Sequence, residues 1–459
     1  MIASRLRHLA TASVLTLLTA LPVAAESLAD AMVAAYRKSP LMDQNRAVLR
    51  AADEDVAQAI ATLRPVVGWA ASHTLSSGGV NVSSLSLTAQ MTLFDWGRSQ
   101  LDIDLKKELV LASRENLVAV EQQVLFDAVS AFFDVRSSME QVDLQNNSVR
   151  LLQQERQAAQ DRFDVGEITL TDVSLANAQL AATRAALASA EGNLEVAREG
   201  YRAATGALPG QLSAPPPLPK LPESLDAARA IGQRNHPAMK QAQHQAAASE
   251  IGVAAAKAER NPTLSAEASA GITRSPSGLT GNQETNRNAQ IGLTMSQTLY
   301  SGGTLSSILR QSMAQRDQAR AGLLNVARQI DLAVGEAWAN IDVAGAQISA
   351  IDEQISAAQQ AYDGVREEAT LGARTTLDVL DAEQSLLEAR TDKVTAEANL
   401  QLAHYQLLSA MGLLTVENLK LGIPTYDPSD YYSAVRDAPY TSRQGENLDR
   451  VLRAIGRDN

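Results

Sequence analysis

Residues 98–165 run without a proline or a glycine, 68 positions in all, and residues 304–371 form a second stretch of 68 without a proline. Few features restrict a fold so severely. Helix interiors break chiefly at those two residue types, so each stretch reads as one helix, about 100 Å long at 1.5 Å per residue. A helix of that length cannot sit inside a compact globule. Its Ala, Leu, Val and Ile positions need other long helices beside them, packed in coiled-coil fashion. Composition agrees: 45% of the 459 residues are hydrophobic but only 4% are aromatic. That balance favours helix contacts through small side chains and sets aside the roughly three ordinary domains that length alone suggests.

The two stretches belong to two copies of one unit. Ser27-Leu28 recurs as Ser224-Leu225, Ser39-Pro40 answers to His236-Pro237, and Arg64-Pro65 to Asn261-Pro262, all at an offset of 197. Further on, Thr92-Leu93-Phe94 matches Thr298-Leu299-Tyr300, Val165-Gly166 matches Leu371-Gly372, and Gly206 matches Gly412, at an offset of 206. One insertion of nine residues in the second copy accounts for the drift. The expected organisation is a first repeat over 26–208, with a β-hairpin at 66–93, a long helix at 98–165 and a helix at 172–206. A Pro-rich linker at 209–223 follows, stiff and extended. The second repeat, 224–414, has its hairpin at 264–299, its long helix at 304–371 and its last helix at 375–412. Each repeat opens on a helical stretch broken at a proline, Pro40 in the first. A polar tail spans 415–459, and its part from Pro424 on, with Pro428 and Pro439, is expected to lie loose outside the body.

The N-terminus places Arg5, Arg7 and His8 ahead of an apolar run from 9 to 21, then Pro22, Val23, Ala24 and Ala25 before Glu26. This order reads as a secretory signal peptide over 1–25. Its removal takes Arg5 and Arg7, so the formal charge of −12 becomes −14. No later stretch approaches the run of apolar residues that a membrane helix needs. The exported chain is therefore either soluble outside the cytoplasm or enters a membrane as β-strands.

Short alternating segments decide between these. Leu85, Leu87, Ala89, Met91 and Leu93 alternate with Ser, Thr and Gln; Leu264, Ala266, Ala268, Ala270 and Ile272 alternate with Ser, Glu, Gly and Thr, and Ile291, Leu293 and Met295 with Gly, Thr and Ser. A fourth, less regular segment carries Val67, Trp69 and Ala71. Strands of about ten residues with one apolar and one small, polar face suit a membrane barrel with a wet interior. They would also suit a soluble sheet packed on helices, but such a sheet does not need flanking helices of about 100 Å. Four strands cannot close a barrel, and the smallest membrane barrels have about eight. Two copies would supply eight strands and three would supply twelve, and only the larger barrel leaves an aqueous lumen. The hairpin tips, at 76–79 and in a longer loop at 274–288 that takes up the insertion, are expected to face outward.

Other classes are excluded more simply. The absence of cysteine removes disulfides, thiolate metal sites, a cysteine nucleophile and a lipid-modified N-terminal cysteine. The acidic balance argues against nucleic acid as a partner. His73, His236, His244 and His404 show no metal-ligand spacing, and the chain has neither a GxSxG nor a phosphate-binding GxxxxGK motif. No catalytic activity, cofactor or metal is expected.

Two local patterns carry a resemblance. One is Arg162-Phe163-Asp164-Val165-Gly166 with Thr171-Asp172-Val173 after it. The other is the segment 371–382, from Leu371-Gly372 through Arg374, Thr375 and Asp378 to Asp381-Ala382. With the doubled order of helix, hairpin, long helix and helix over 28–414, the chain resembles the TolC family of outer-membrane channel-tunnel proteins. The resemblance implies a mainly α fold with a small β part. Tandem-duplicated long helices would form a coiled-coil tunnel, and four strands per protomer would join a twelve-stranded barrel in a homotrimer. It implies the outer membrane of a Gram-negative bacterium, contact with outer-membrane lipid, and a large periplasmic portion. It implies a passive exit duct that serves an inner-membrane ABC or proton-driven exporter through a periplasmic adaptor, a membrane fusion protein. Type I protein secretion and small-molecule efflux both remain open. The missing cysteine leans toward secretion, since many drug-efflux members are acylated. The alternative of another class is a secreted or periplasmic coiled-coil scaffold without channel activity.

Gly166 and Gly372 stand where one long helix ends and another begins, and glycine permits the left-handed backbone of such a reversal. By the resemblance these turns form the tunnel's periplasmic tip, so Val165, Gly166, Leu371 and Gly372 are the candidates for adaptor contact. After each turn, Thr169 with Asp172 and Thr375 with Asp378 have the spacing of a capping box. Asp381 lies three residues beyond Asp378 on the same helix face, where the first repeat has Leu175. In a trimer this pair would set six carboxylates around one axis, attract cations and raise its own pKa values. Arg374 is expected to hold the end shut by pairing with Asp172 or the region of Thr171 across neighbouring helices, the alternative being a solvated surface arginine. Asp378, Asp381, Arg374, Thr171 and Asp172 are thus the candidate gate. A tyrosine that some family members carry before this glycine has no match, Ala369 standing nearby, so that part of a closing network is not expected.

Overall fold

The structure, a computed structural model, describes residues 25–77, 81–276, 282–436 and 450. The expected signal segment, apart from Ala25, lies outside these residues, as does part of each hairpin tip. In chain order the elements are α1 (Leu28–Lys38), α2 (Pro40–Ala61), β1 (Val66–Leu75), β2 (Asn81–Phe94), α3 (Arg98–Asp164) and α4 (Leu170–Thr205). The second repeat follows with α5 (Leu225–Asn235), α6 (Pro237–Ala258), β3 (Thr263–Pro276), β4 (Gln283–Ser296), α7 (Thr304–Thr370) and α8 (Thr376–Ala410), and α9 (Pro428–Val435) comes after them. None of these helices is long and apolar enough to cross a membrane.

The two 67-residue helices α3 and α7 form the frame. Each starts from a left-handed glycine, Gly97 or Gly303, which turns the chain out of the sheet. The free amides at the start of α3 are taken by the Asp95 carboxylate, which accepts the Gly97 N–H at 3.1 Å and the Ser99 N–H at 2.8 Å. Helices α2 and α4 pack along α3, and α6 and α8 along α7. In each repeat the short pair and the returning helix meet end to end. Ser39 and His236 cap the helices that begin at Pro40 and Pro237, where proline's missing N–H costs nothing. Gly206 and Gly412 end the returning helices against those breaks. A Cβ on Gly412, whose φ is +75°, would lie 2.6 Å from the His236 Cα.

The core is concentrated around these junctions. Leu125, Val129, Phe132 and Phe133 of α3, Val334 and Ala337 of α7, and Tyr201, Leu407, Met411 and Leu414 are almost fully buried together. The tail departs from expectation here. Over residues 415–436 it is a strap, not a loose end: Val416 is buried and gives its N–H to Glu121 at 2.7 Å. Tyr426 gives its N–H to the Tyr36 hydroxyl, Tyr431 gives its hydroxyl to Glu54 at 2.9 Å, and the Arg46 guanidinium lies 5.4 Å from the rings of both Tyr36 and Tyr426. The physical reason is that apolar and aromatic anchors are dispersed through a polar sequence, and Leu419, Leu421, Ile423 and Tyr432 also settle on the core.

At the opposite end from the helical turns, the strands form one antiparallel sheet in the order β1-β2-β3-β4, leaving β1 and β4 as open edges. The register sorts the faces completely. Val67, Ala89, Ala268 and Ile291 form one row, and Trp69, Leu87, Ala270 and Ala289 the next, all on one side. Gly68, Thr88, Ser269 and Gln290 occupy the other. The insertion does not make a long loop at 274–288, as expected. β3 has 14 residues against 10 in β1, and the connection from β4 to α7 is longer than that from β2 to α3. Added residues that keep the alternation extend the ladder, because each then gains backbone partners.

Candidate functional site

The two helical turns stand at the far end of the long helices from the sheet, and their local chemistry is nearly identical. At the end of α3, Gly166 takes φ +78°, its N–H donates to the Phe163 carbonyl at 2.9 Å, and the Glu167 N–H donates to the Arg162 carbonyl at 2.9 Å. At the end of α7, Gly372 takes φ +78°, with Gly372 N–H to the Ala369 carbonyl at 3.1 Å and Ala373 N–H to the Glu368 carbonyl at 2.9 Å. Both are glycine-terminated helix ends of the Schellman kind. Val165 and Leu371, 72% and 78% exposed, project from the turns. Apolar side chains left this exposed at a reversal form a tip that another surface can cover.

The capping boxes are present in full. Asp172 Oδ2 accepts the Thr169 N–H at 2.9 Å and its hydroxyl at 2.7 Å, and the Asp172 N–H returns to Thr169 Oγ1. Asp378 Oδ2 accepts the Thr375 N–H at 2.9 Å and its hydroxyl at 2.8 Å, and the Asp378 N–H returns to Thr375 Oγ1 at 3.3 Å. These bonds favour the charged carboxylate. The Thr375 amide and hydroxyl hold Asp378 below the ordinary carboxylate range, and the Thr169 hydroxyl and amide do the same for Asp172. Within one chain, cap donation lowers Asp378 against the opposing effect of burial; the rise expected for six carboxylates concerns the assembled ring.

Arg374 does not reach Asp172 or Thr171 within the chain. Its Nε donates to Glu368 Oε2 at 2.9 Å, across the turn that it closes. The reason is reach: Glu368 is the last acidic side chain of α7 and lies six residues away over a tight reversal. Thr171 is exposed on the first turn of α4, and Asp381 is exposed on α8, its carbonyl accepting the Ser385 hydroxyl. The structure thus brings Arg374, Thr375 and Asp378 together at one tip, and leaves Thr171 and Asp172 on the other.

One group here is absent from the sequence reading. Just above the tip, where α3 packs against α8, the Glu383 side chain is 5% exposed. The Ser148 hydroxyl donates to its Oε1 at 3.0 Å, while its Oε2 has no partner. Burial pushes Glu383 up to about 7, against the Ser148 bond and with help from Glu155. The buried Tyr362 hydroxyl nearby is also unpartnered, and Arg366 pairs with Glu155 at 3.4 Å. A signal was available: Glu383 shares an α8 face with Val379, Leu380 and Leu386, so it is a carboxylate inside an apolar stripe.

Comparison with known proteins follows from this geometry. The family described as "Outer membrane efflux protein" matches residues 32–207 and 232–413, one span in each repeat. The chain is 32% identical to the outer membrane efflux protein BepC of Brucella suis, over 94% of this chain and 96% of that protein. It is 24% identical to the outer membrane protein TolC of Escherichia coli, over 86% and 84%. Among solved structures it resembles the outer membrane protein VceC of Vibrio cholerae, with a TM-score of 0.71 and 21% identity over 84% of this chain and 96% of that one.

Proposed function

Because the chain belongs to the outer membrane efflux protein family, and is an exit duct of the Gram-negative outer membrane with a periplasmic tunnel, we propose that three copies assemble into that duct. The observation that carries this is the sheet. Its outward face is apolar and its two edges are open, a combination that lipid does not tolerate unless copies close it. Four strands from each of three copies make a twelve-stranded barrel, wide enough for a lumen lined by the Thr, Ser and Gln face. The duct has no catalytic role and works with an inner-membrane pump through a periplasmic adaptor. Val165, Gly166, Leu371 and Gly372 offer that adaptor the two exposed reversals, and Asp378, Asp381, Arg374, Thr171 and Asp172 surround the narrow end as its gate. The match to a protein described as an efflux protein favours small-molecule efflux over protein secretion as the cargo class.

The test is electrophoresis and conductance. Purified protein should need detergent, run as a heat-resistant trimer and give cation-blocked single channels in planar bilayers. A monomer soluble without detergent would instead support the coiled-coil scaffold. For cargo, restored antibiotic tolerance in a strain lacking its own duct supports efflux, and restored secretion of an exoprotein without that tolerance supports secretion.

A further inference from the structure

The outward face of the sheet ends in a feature that closing a barrel does not require. From the helical end, five successive rows of outward residues are mainly apolar: Leu264 with Met295; Met91, Ala266 and Leu293; the row of Val67; the row of Trp69; and Ala71, Leu85 and Ile272. At two residues per row this is roughly 27 Å along the strands, close to the band of about 25 Å that a barrel shows to lipid. The rows then change character. Arg287 completes the row of Ile272 at β4, and the next row reads His73, Ser83, Arg274, Thr285. The His73 Nδ1 is hydrogen-bonded across strands to Ser83 Oγ at 2.9 Å.

Arg274 and Arg287 are diagonal neighbours on adjacent strands, within reach of each other's side chains. Both are exposed, and neither pairs with an acidic group among the described residues. The outward positions of all four strands carry no Asp or Glu; the strands' two carboxylates, Glu267 and Glu284, fall on the other face. Two guanidiniums that can reach each other with no counter-charge repel when they approach, and an anion between them relieves that repulsion. Their height settles which anion. An arginine on the lipid face costs about 2–4 kcal/mol at mid-membrane and about 0–1 at the interface, so Arg287, rooted one row inside the apolar band, must extend toward the hairpin end. That end is the outer one, since the helices lie in the periplasm. Both guanidiniums then meet the headgroup layer of the outer leaflet.

We infer that Arg274 and Arg287, flanked by the His73–Ser83 pair, form a docking site for the phosphates of anionic lipid headgroups in the outer leaflet. Paired guanidiniums match phosphate oxygens in bidentate fashion, and the apolar rows beneath, Trp69 and Ile272 among them, take the acyl chains of the same molecule. The occupant is thus a phosphorylated lipid, with headgroup and chains both engaged.

The experiment is native mass spectrometry of the detergent-purified, full-length assembly after incubation with purified lipid A, a bisphosphorylated glycolipid, or with zwitterionic phosphatidylethanolamine. Arg274→Gln/Arg287→Gln should retain about tenfold less lipid A, with phosphatidylethanolamine unchanged, and Arg274→Lys/Arg287→Lys, which keeps the charge but not the planar fork, should fall between Gln and wild type. Assembly is checked by the heat-resistant band. If the Gln pair does not assemble, Arg287→Gln alone against Arg287→Lys gives the same comparison. Equal lipid A retention in the Gln and wild-type proteins overturns the site. Full displacement by millimolar inorganic phosphate also overturns it, since that marks a free-anion site. Channel conductance, measured alongside, reports the duct separately.

Discussion

Gly412 shows how a single hydrogen atom can hold two parts of this tunnel together. It ends α8 in the left-handed region, and a Cβ there would overlap the His236 backbone at 2.6–2.7 Å. An L-residue in that conformation costs about 1–2 kcal/mol before any clash, and backbone cannot retreat as a side chain can. Gly412→Ala should therefore lower the denaturant midpoint of the purified protein well beyond what Gly166→Ala does, since Gly166 has the same φ but nothing near its Cβ. Equal losses would show that only φ matters. Glu383 offers a second test at this scale. Its raised pKa means that the folded state holds a proton the unfolded chain has released, so stability falls as pH rises from about 4.5 to about 7. The shift bounds the effect at about 3 kcal/mol. Glu383→Gln keeps an acceptor for Ser148 and removes the charge. It should stabilise the protein at pH 8 and leave it nearly unchanged at pH 5, read as denaturation midpoints. A pH-independent difference would mean that Glu383 is not a buried acid.

At the scale of elements, what the sequence discloses depends on whether the cause is local. The 67-residue helices are legible because their cause is the absence of breakers, and the capping boxes because Thr-x-x-Asp carries its own partners. The strands are legible by alternation, and family resemblance adds the tunnel. The tail was misread because its anchors follow no period: Val416, Tyr426 and Tyr431 meet Glu121, Tyr36 and Glu54, each hundreds of residues earlier in the chain. Within one chain Arg374 shows the opposite case, a contact with Glu368 only six residues away that no motif announces. Glu383 was missed because its burial arises where α3 of one repeat packs on α8 of the other. The strap itself is testable. Tyr431→Ala empties a buried site, with a cost of about 3–5 kcal/mol by analogy with other buried aromatic deletions, and should speed proteolytic cleavage within 415–436. Unchanged cleavage, with the wild-type protein resistant, would mean that Tyr431 does not hold the strap down.

At the scale of the whole molecule, the two repeats differ where a threefold assembly would notice. The tip of the first has Leu175 where the second has Asp381, so three copies place acidic pairs on alternate hairpins only. Within each pair the carboxylates are not equivalent. Asp378 is committed to the Thr375 amide and hydroxyl, whereas the exposed Asp381 side chain has no such cap. The charge free to meet a cation in the lumen is thus mainly that of Asp381. Asp381→Asn should relieve divalent-cation block of single channels more than Asp378→Asn does, while Asp378→Asn should cost more stability because it dismantles a cap. The pH dependence follows from the depressed Asp378 pKa. Its cap contribution is present above the unfolded carboxylate value, persists below that value, and is lost as pH falls through the lower folded one. Between those two values the cap remains ionised, so a weakening of block there does not come from Asp378. Block that follows Asp378 instead, in both substitution and pH, would move the ring's working charge to the cap and leave Asp381 a solvated surface acid.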